Sequence, residues 1–438
     1  WVANFGENQP FKDAEMVYPS IAVMRSGKAK KTFKHYFMDG NVPYLKMGDT
    51  FKEAEWVNSL SNVTEMDEWR FQAKELTELF KKITIKNSIL EQIVNNQIFY
   101  GIKTGFNDAF FIDSATRQRL IDEHPKSIEI IKPLVRGQDL RPWYQENSGL
   151  HLIFTNRGIA IDEYPAVRRY LEQYKNRLEP KPSDWSSTQE NWQGRAGGNY
   201  KWYELQGSIS YSHVLENNKI FWPDIAKLPR FSLDTARHYA NDKGCMIVPN
   251  NMAILAILNS RVIWFTVSQM ATPLRLRAGL WQYQAKIQFV KRLPIPELTA
   301  TQESDLATIA ETITSYAQER YQAHENMRQI ISSDFGSGTS ISSRIDLYQW
   351  WNFDNADALN DDLGSTSRRN AGFSEIPLSK RSEWRKFFAD EKAKHSAITD
   401  KIISEETRMN EIVYEAFGLD TAERQLIEAA TKYPYGAV

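Results

Sequence analysis

The sequence predicts an α+β protein in which a region of mixed α/β structure precedes an α-helical C-terminal region. Two observations carry this prediction. Residues 89–298 alternate short apolar runs with Gly, Pro, Asn and Asp, which is typical of brief strands joined by turns. Residues 299–438 contain two long stretches without Gly or Pro, in which apolar residues recur at helical spacing.

The chain divides into four predicted segments: a terminal hairpin at residues 1–40, a helical connector at 41–88, the mixed region at 89–298 and the helical region at 299–438. Within them, residues 67–85, 163–178 and 251–267 have helical patterns. Residues 150–154 and 219–222 have strand patterns, and a further strand is expected in the Ala-Phe-Phe-Ile run that follows the loop at residues 101–108.

The helical region begins with the sequence Thr-Ala-Thr-Gln at residues 299–302, which is a plausible capping box. Leu306, Ile309 and Ile313 then follow at spacings of three and four, and Ile398 and Ile402 begin a second series. Two such apolar seams in one chain predict an antiparallel, coiled-coil-like helix pair.

Charge is distributed unevenly along the chain. Residues 301–438 carry 15 basic and 23 acidic side chains, whereas residues 1–300 carry 39 and 32, so the first part has the surplus of positive charge. Residues 243–296 contain no acidic residue and seven basic ones. Amides and aromatic rings alternate with the cations at residues 273–289, a mixture used for phosphate contact and for reading base edges.

Two further loops offer polar groups. The stretch GIKTGFNDAFFID, residues 101–113, places Lys103, Thr104 and Asn107 between and beside glycines, where backbone N–H groups can approach a phosphate closely. Arg136 and Arg141 follow in a second turn. A tight turn with solvated charges is the alternative for both loops.

Sequence motifs for several other functions are absent. The chain has no Gly-x-Ser-x-Gly, no phosphate-binding loop of the Gly-x4-Gly-Lys-Ser/Thr type and no His-Glu-x-x-His. The Pro-Asp-Ile-Ala-Lys at residues 223–227 lacks the second acidic residue that a metal nuclease needs. The single Cys245 is expected to be a buried thiol in a reducing cytoplasm, and we expect no metal site and no membrane span.

Six motifs in order resemble the target-recognition half of type IIG restriction-modification enzymes and of related adenine-N6 DNA methyltransferases, the TaqI-like C-terminal specificity domain. They are GIKTGFNDAFFID (101–113), IIKPLVRGQDLRPW (130–143), NYKWYELQ (199–206), NKIFWPDIAKLPRFSLD (218–234), ILAILNSRVIWF (254–265) and FVKRLPIP (289–296). Residues 5–25 also resemble the last hairpin of the methyltransferase domain, and residues 409–428 resemble the end of such enzymes.

The resemblance implies that this chain recognises double-stranded DNA while an upstream methyltransferase domain flips and methylates an adenine. The family's catalytic Asn-Pro-Pro-Tyr and its Gly-rich S-adenosylmethionine loop are absent here, so we expect no catalytic residue and no cofactor in this chain, and S-adenosylmethionine in the parent enzyme. We expect the DNA-binding residues to be Lys103, Thr104, Asn107, Arg136, Arg141, Arg195, Trp202, Arg275, Arg277, Gln282 and Lys286.

Three alternatives remain open at the level of sequence. The parent is either a restriction enzyme with a fused nuclease or a phage-defence methyltransferase of the BREX kind without one. Two other functions are possible for this chain itself: a protein–protein assembly element that works through its acidic helices, and a stand-alone nuclease. The recognised base sequence and the oligomeric state are not determined by one sequence.

Overall fold

A computed structural model gives the fold. It describes residues 2–5, 20–23, 32–38, 46–54, 56–60, 73–185, 191–248, 252–277, 279–336, 341–343, 345–364 and 372–437. Helices and strands are interleaved up to Ile295, and the described elements from Ala300 onward are all helical, so the predicted α+β class is confirmed.

The described strands form five small sheets. In spatial order these are Ser20–Ala22, Val2–Asn4, Thr32–Phe37 and Val57–Leu60; Ser232–Asp234, Lys219–Pro223, Gly244–Ile247 and Ile98–Tyr100; Ile225–Ala226, Leu280–Gln284 and Pro273–Arg277; Tyr239–Ala240, Ile131–Val135, Leu150–Ile153 and Phe111–Asp113; and Pro294–Ile295 with Ser88–Ile89. Neighbouring strands are antiparallel except for two parallel pairs, Val2–Asn4 with Thr32–Phe37 and Tyr239–Ala240 with Ile131–Val135.

The α-helices are Met47–Lys52, Lys74–Ile85, Leu90–Ile93, Asn107–Phe110, Ser114–Glu123, Pro165–Glu172, Lys175–Leu178, Met252–Leu258, Arg261–Met270, Ile287–Val290, Ala300–Phe335, Ala356–Leu363, Arg381–Ala416 and Thr421–Thr431. Short 3₁₀ helices occupy Pro125–Glu129, Gly137–Asp139, Ile161–Glu163, Ser212–Val214, Asp346–Asn352 and Leu378–Lys380.

The sheet that contains Lys219–Pro223 separates two hydrophobic cores. Trp222 and Cys245 face the core that includes the buried helices Met252–Leu258 and Arg261–Met270. Phe221 and Met246, one residue along each strand, face the other core because successive side chains of a strand point to opposite faces. The thiol of Cys245 is buried, as expected.

The predicted helix pair forms from Ala300–Phe335 and Arg381–Ala416. Arg320 near the middle of the first helix hydrogen-bonds Thr399 at 2.8 Å, and Phe335 at its end meets Trp384 near the start of the second, so the helices are antiparallel. The capping box is present, with the Thr299 hydroxyl accepting from the backbone N–H of Gln302 at 3.2 Å. The first helix also packs along Met252–Leu258, which attaches the pair to the mixed region.

Three predicted elements differ in detail. The run after the loop at residues 101–108 forms a helical turn, Asn107–Phe110, before the strand Phe111–Asp113 begins. The helix predicted at residues 163–178 begins at Pro165 and is interrupted between Glu172 and Lys175. The connector helix begins at Lys74, and residues 61–72 lie outside the described part.

Among the described residues, no single helix has the length and apolarity to cross a bilayer. The bent pair Met252–Leu258 and Arg261–Met270 meets both criteria only when its two helices are counted together.

Candidate nucleic-acid interface

A two-stranded cationic hairpin is formed by Pro273–Arg277 and Leu280–Gln284. Strand alternation leaves Arg275 and Arg277 exposed on one face. The turn contains Gly279 at φ +74°, a backbone conformation that glycine adopts without strain. Because the second strand also pairs with Ile225–Ala226, one edge of the hairpin is held by the sheet, and the strand bearing both arginines is the outer one.

Arg275 is oriented by its neighbour across the hairpin. Its Nε donates to Oε1 of Gln282 at 2.7 Å, and the two residues are direct partners in the strand register. The hydrogen bond uses Nε, and within the described ranges neither terminal nitrogen of the guanidinium has a hydrogen-bond partner. The arrangement therefore presents a planar group with two donors at a fixed angle, the geometry that matches guanine O6 and N7.

Four of the seven cations of residues 243–296 make no ion pair within the described part of the chain, although Lys286 interacts electrostatically with Asp224. Arg275, Arg277, Lys286 and Arg292 form no ion pair with any carboxylate in the described ranges. The other three cations of the acid-free stretch do: Lys291 pairs with Glu91 at 3.1 Å, Lys243 approaches Asp224 at 3.8 Å, and Arg261 pairs with Glu428 at 3.1 Å. Arg261 is only 4% exposed and belongs to the core rather than to the basic surface.

The loop that carries Lys103 has both exposed and buried polar residues. Lys103 and Asn107 are exposed. The Lys103 carbonyl accepts from the N–H of Gly207 at 2.8 Å, whereas its ammonium has no hydrogen-bond or ion-pair partner among the residues described. Thr104 is 1% exposed; its hydroxyl donates to Asn107 Oδ1 at 2.6 Å and accepts from the N–H of Phe106 at 3.2 Å. Thr104 therefore shapes the loop instead of presenting a hydroxyl to solvent, which differs from its expected contact role.

Arg195 also differs from its expected role, because it is buried. It is 3% exposed, and its pKa is lowered to about 10 by burial, so it stays charged at neutral pH. It stacks on the ring of Tyr200 at 4.5 Å. Its guanidinium donates to five backbone carbonyls, those of Leu178, Thr104, Glu204 and Trp202 at 2.8 Å and that of Lys201 at 3.4 Å.

Two other expected arginines are engaged within the second turn. Arg136 makes a two-pronged contact with Asp139, at 2.9 Å from Nε and 2.8 Å from Nη2. Arg141 pairs with Glu146 at 2.7 Å. A DNA phosphate would have to displace a carboxylate from each, so these residues are weaker candidates for direct contact than those of the hairpin.

An open groove of about 690 Å³, here called the loop groove, lies where the Lys103 loop meets the glycine-rich segment at residues 194–198. Residues that line it include Lys103, Arg157, Gly197, Gly198, Gln206 and Ser208, and none of its described lining residues is acidic. Trp202 lies outside this lining and is half-buried, with the Lys175 ammonium 5.5 Å from its ring. Arg157, Gln206 and Ser208 were not anticipated, because Arg157–Gly158 reads as an ordinary turn and no motif links it to residues 206–208.

The edge strand Ile98–Tyr100 joins the hairpin side to the groove side. The phenol oxygen of Tyr100 accepts a hydrogen bond from the backbone N–H of Ile287, which directly follows Lys286. The backbone carbonyl of Tyr100 accepts from the hydroxyl of Tyr211. Lys103 follows Tyr100 by three residues. Burial raises the pKa of Tyr100, and the phenol is neutral at this junction. The hairpin residues themselves are not among those that line the groove.

The structure shows no candidate metal centre among the residues that it describes. Asp224, the carboxylate of the Pro-Asp-Ile-Ala-Lys segment, is half-buried, and burial raises its pKa. Its nearest cation is Lys243.

Two segments of the chain match models of known protein families. Residues 132–295 match the model of the TaqI-like C-terminal specificity domain, which confirms the resemblance for that segment. Residues 299–413 match a family described as a domain of unknown function, DUF8810.

Two solved structures are similar to the chain. One is the type IIL restriction-modification enzyme MmeI in complex with DNA, 11% identical with a TM-score of 0.46, the match covering 98% of this chain and 45% of that one. The other is the type IIG restriction endonuclease BpuSI, 13% identical with a TM-score of 0.34, covering 71% and 38%. The chain spans less than half the length of either structure.

Proposed function

We propose that this chain is a sequence-specific recognition module for double-stranded DNA. The observation that carries the proposal is the cationic hairpin, which lies inside the segment that matches a specificity domain. Its Arg275 and Arg277 form no ion pair with any carboxylate that the structure describes. A two-stranded ribbon fits the major groove of B-form DNA, where each base pair presents a distinct pattern of donors and acceptors.

In this proposal the predicted contact residues have different tasks. Arg275, Arg277 and Gln282 read base edges, since both arginines are exposed on the hairpin and Gln282 is the cross-strand partner of Arg275. Lys286, which follows the second strand of the hairpin, and Lys103, in the loop at residues 101–108, contact phosphates, because each carries a point charge. Phosphate contacts supply affinity and register, whereas base contacts supply the choice of sequence.

For the parent enzyme we propose adenine-N6 methylation with S-adenosylmethionine by an upstream domain, which would rotate the target base out of the duplex while this module holds register. The sequence resemblance to type IIG enzymes supports this proposal. A phage-defence methyltransferase without a nuclease remains the alternative, and methylome sequencing of cells that express the full-length protein, together with the upstream sequence, separates the two.

The module is tested by selection of bound duplexes from a random pool, followed by sequencing. We expect the unmodified chain to enrich one motif. Arg277→Ala should lose about 1 to 3 kcal/mol on that motif and relax one position of it if Arg277 reads a base. Arg408→Ala, on the far acidic helix pair, is the matched control and should enrich the original motif. Failure of the unmodified chain to enrich any motif would refute sequence-specific recognition.

A protein–protein assembly role is the second candidate, and the acidic helix pair is the feature that favours it. The apolar residues of the two helices are already buried between them, and the first helix also packs against Met252–Leu258. An assembly element would show little affinity for duplex DNA, so the same selection separates the two roles.

A further inference from the structure

The loop groove has the composition of an anion site. Lys103 and Arg157 are the cations that line it, and a third cation, Arg195, lies buried behind the loops that form it. Gly197 and Gly198 form part of the wall, and a Cβ at Gly198 would lie 2.6 Å from the ring of Tyr200, so glycine lets that ring pack against the loop. No carboxylate in the described ranges forms an ion pair with Lys103 or Arg195.

Arg157 is held in place at the groove wall. Its Nη2 donates to the carbonyl of Gln206 at 2.8 Å, its Nη1 donates to the carbonyl of Leu205, and its guanidinium lies 5.0 Å from the ring of Tyr200. Glu204 is 3.9 Å away, but that carboxylate is 3% exposed and accepts from the N–H groups of Gly158 and Lys201. The local charge is therefore positive even after Glu204 is counted.

Arg195 fixes the two loops that form the groove. Its guanidinium donates to the carbonyl of Thr104 in the Lys103 loop. It also donates to the carbonyls of Glu204 and Trp202, which follow the glycine-rich segment, and each of the three distances is 2.8 Å. Gly105, at φ +81°, is necessary here, because a Cβ at this position would lie 2.7 Å from Arg195 Cδ. Lysine has one ammonium and cannot satisfy five carbonyls in different directions, so the site requires arginine.

We propose that the loop groove binds one backbone phosphate of duplex DNA, that Lys103 and Arg157 contact the anion, and that Arg195 is a positioning residue that sets the separation of the two loops. The inference rests on the proposed function. The proposed function assigns sequence-specific contacts to the hairpin, whereas this inference assigns sequence-independent phosphate binding to the loop groove. The site contributes affinity equally on all sequences and does not contribute to the choice among them.

The test measures binding of a labelled duplex carrying the selected motif, and of a scrambled duplex, between about 50 and 300 mM salt, roughly a sixfold range in ionic strength. Lys103→Ala should weaken binding to both duplexes by on the order of tenfold and reduce the slope of log affinity against log salt by about 0.9. Lys103→Arg should restore most of the loss. The ratio of the two affinities should stay at the value of the unmodified chain.

A second variant pair changes an exposed side chain of the groove instead of a residue of its core. Ser208 is exposed and lines the groove, so Ser208→Asp places a negative charge there, and Ser208→Asn is the neutral control of similar size. We expect Ser208→Asp to weaken binding to both duplexes equally, and to weaken it more than Ser208→Asn does, because only Asp adds a negative charge. Arg195→Lys, checked for folding by circular dichroism, should lower affinity on both duplexes without changing their ratio.

The outcomes distinguish this inference from the proposed function. If the unmodified chain binds neither duplex, the proposed function itself is wrong. If it binds with sequence preference but Lys103→Ala and Ser208→Asp leave affinity and salt slope unchanged, the groove is not a phosphate site and the function stands. If Lys103→Ala alters the ratio of the two affinities, the groove reads bases and the assignment to a phosphate is overturned.

Discussion

At the scale of single residues, the feature with the largest expected effect on stability is an ion pair buried in the mixed region, residues 89–298. Lys219 is 0% and Asp234 1% exposed, and their charged atoms are 3.0 Å apart. Burial lowers the pKa of Lys219, and Asp234 opposes that shift; the pKa of Asp234 is itself below its ordinary value, because hydrogen bonds from His238 and the charge of Lys219 outweigh its burial.

We expect Asp234→Ala to lower the free energy of unfolding by about 3 to 5 kcal/mol, because it leaves a buried ammonium without a counter-charge. Urea unfolding followed by circular dichroism measures the loss. The double variant Lys219→Met, Asp234→Leu removes both charges and should recover most of the stability. A single variant as stable as the unmodified chain would show that the pair is not buried in solution.

Residue roles were only partly predictable, and Arg195 and Thr104 show why. The sequence identifies a cation or a hydroxyl in a glycine-rich loop, but not the direction in which its donors point. For both residues the donors point inward, to carbonyls and to Asn107, and this depends on contacts between loops that are distant in sequence. Arg275 and Arg277 share one face because they lie two residues apart on a strand, but sequence analysis did not predict that strand.

At the scale of elements, the turn of the cationic hairpin is the point at which the proposed function can be tested without disturbing a core. A Cβ at Gly279 would meet no heavy atom within 4 Å, so only its φ of +74° restricts substitution. Asn tolerates that conformation, whereas a β-branched residue does not.

We therefore expect Gly279→Val to weaken binding of the selected duplex by about 1 kcal/mol or more through distortion of the turn, and Gly279→Asn to bind normally. Fluorescence anisotropy titrations compare the two variants, and their thermal unfolding should match that of the unmodified chain. Equal affinities for Val and Asn would mean that the hairpin conformation does not matter for DNA binding.

The helix pair contains two buried histidines that make the protein sensitive to acid. His324 and His395 stack with ring centroids 5.0 Å apart, and His324 stacks on Trp351 at 3.7 Å. Burial, with the nearby cation Arg320, lowers the pKa of His324 to about 2 and that of His395 to about 4.

Below the ordinary histidine pKa of 6.5, the unfolded chain takes up protons that the native state excludes, so stability falls as pH decreases from 6.5 toward 4. We expect the urea midpoint to fall between pH 7 and pH 4.5, and to fall less in His395→Phe, which keeps an aromatic ring but cannot titrate. His213→Gln, at an exposed position, should behave like the unmodified chain. An equal pH dependence in His395→Phe would show that His395 is protonated in the native state.

Long elements were predicted better than short ones, for a physical reason. The helix Ala300–Phe335 has a cap and an apolar seam of many turns, so local signals agree along its length. The turn Asn107–Phe110 is four residues long, and its conformation depends on Thr104 and on packing of Phe110 in the core. An apolar run of that length is compatible with either a strand or a helix.

At the scale of the whole molecule, the helical region is joined to the recognition region by buried polar contacts as well as by apolar packing. Trp143 Nε1 donates to Glu406 at 3.1 Å, and the backbone N–H of Arg261 donates to Asn410 at 2.8 Å. Burial raises the pKa of Glu406, and this carboxylate also accepts from the N–H of Gly436 at 2.6 Å. Sequence analysis predicted both regions but not these contacts, because neither Trp143 nor Glu406 carries a local signal of its partner.

The central claim is that the cationic surface of residues 1–300, which includes the acid-free stretch 243–296, binds double-stranded DNA. Equilibrium binding of duplex DNA as a function of salt tests it most directly. We predict that affinity falls steeply and linearly on a plot of log affinity against log salt concentration, and that Arg275→Ala, Arg277→Ala together flatten the slope or abolish sequence preference. Affinity that is absent at low salt, or that is insensitive both to salt and to these two substitutions, would contradict the claim.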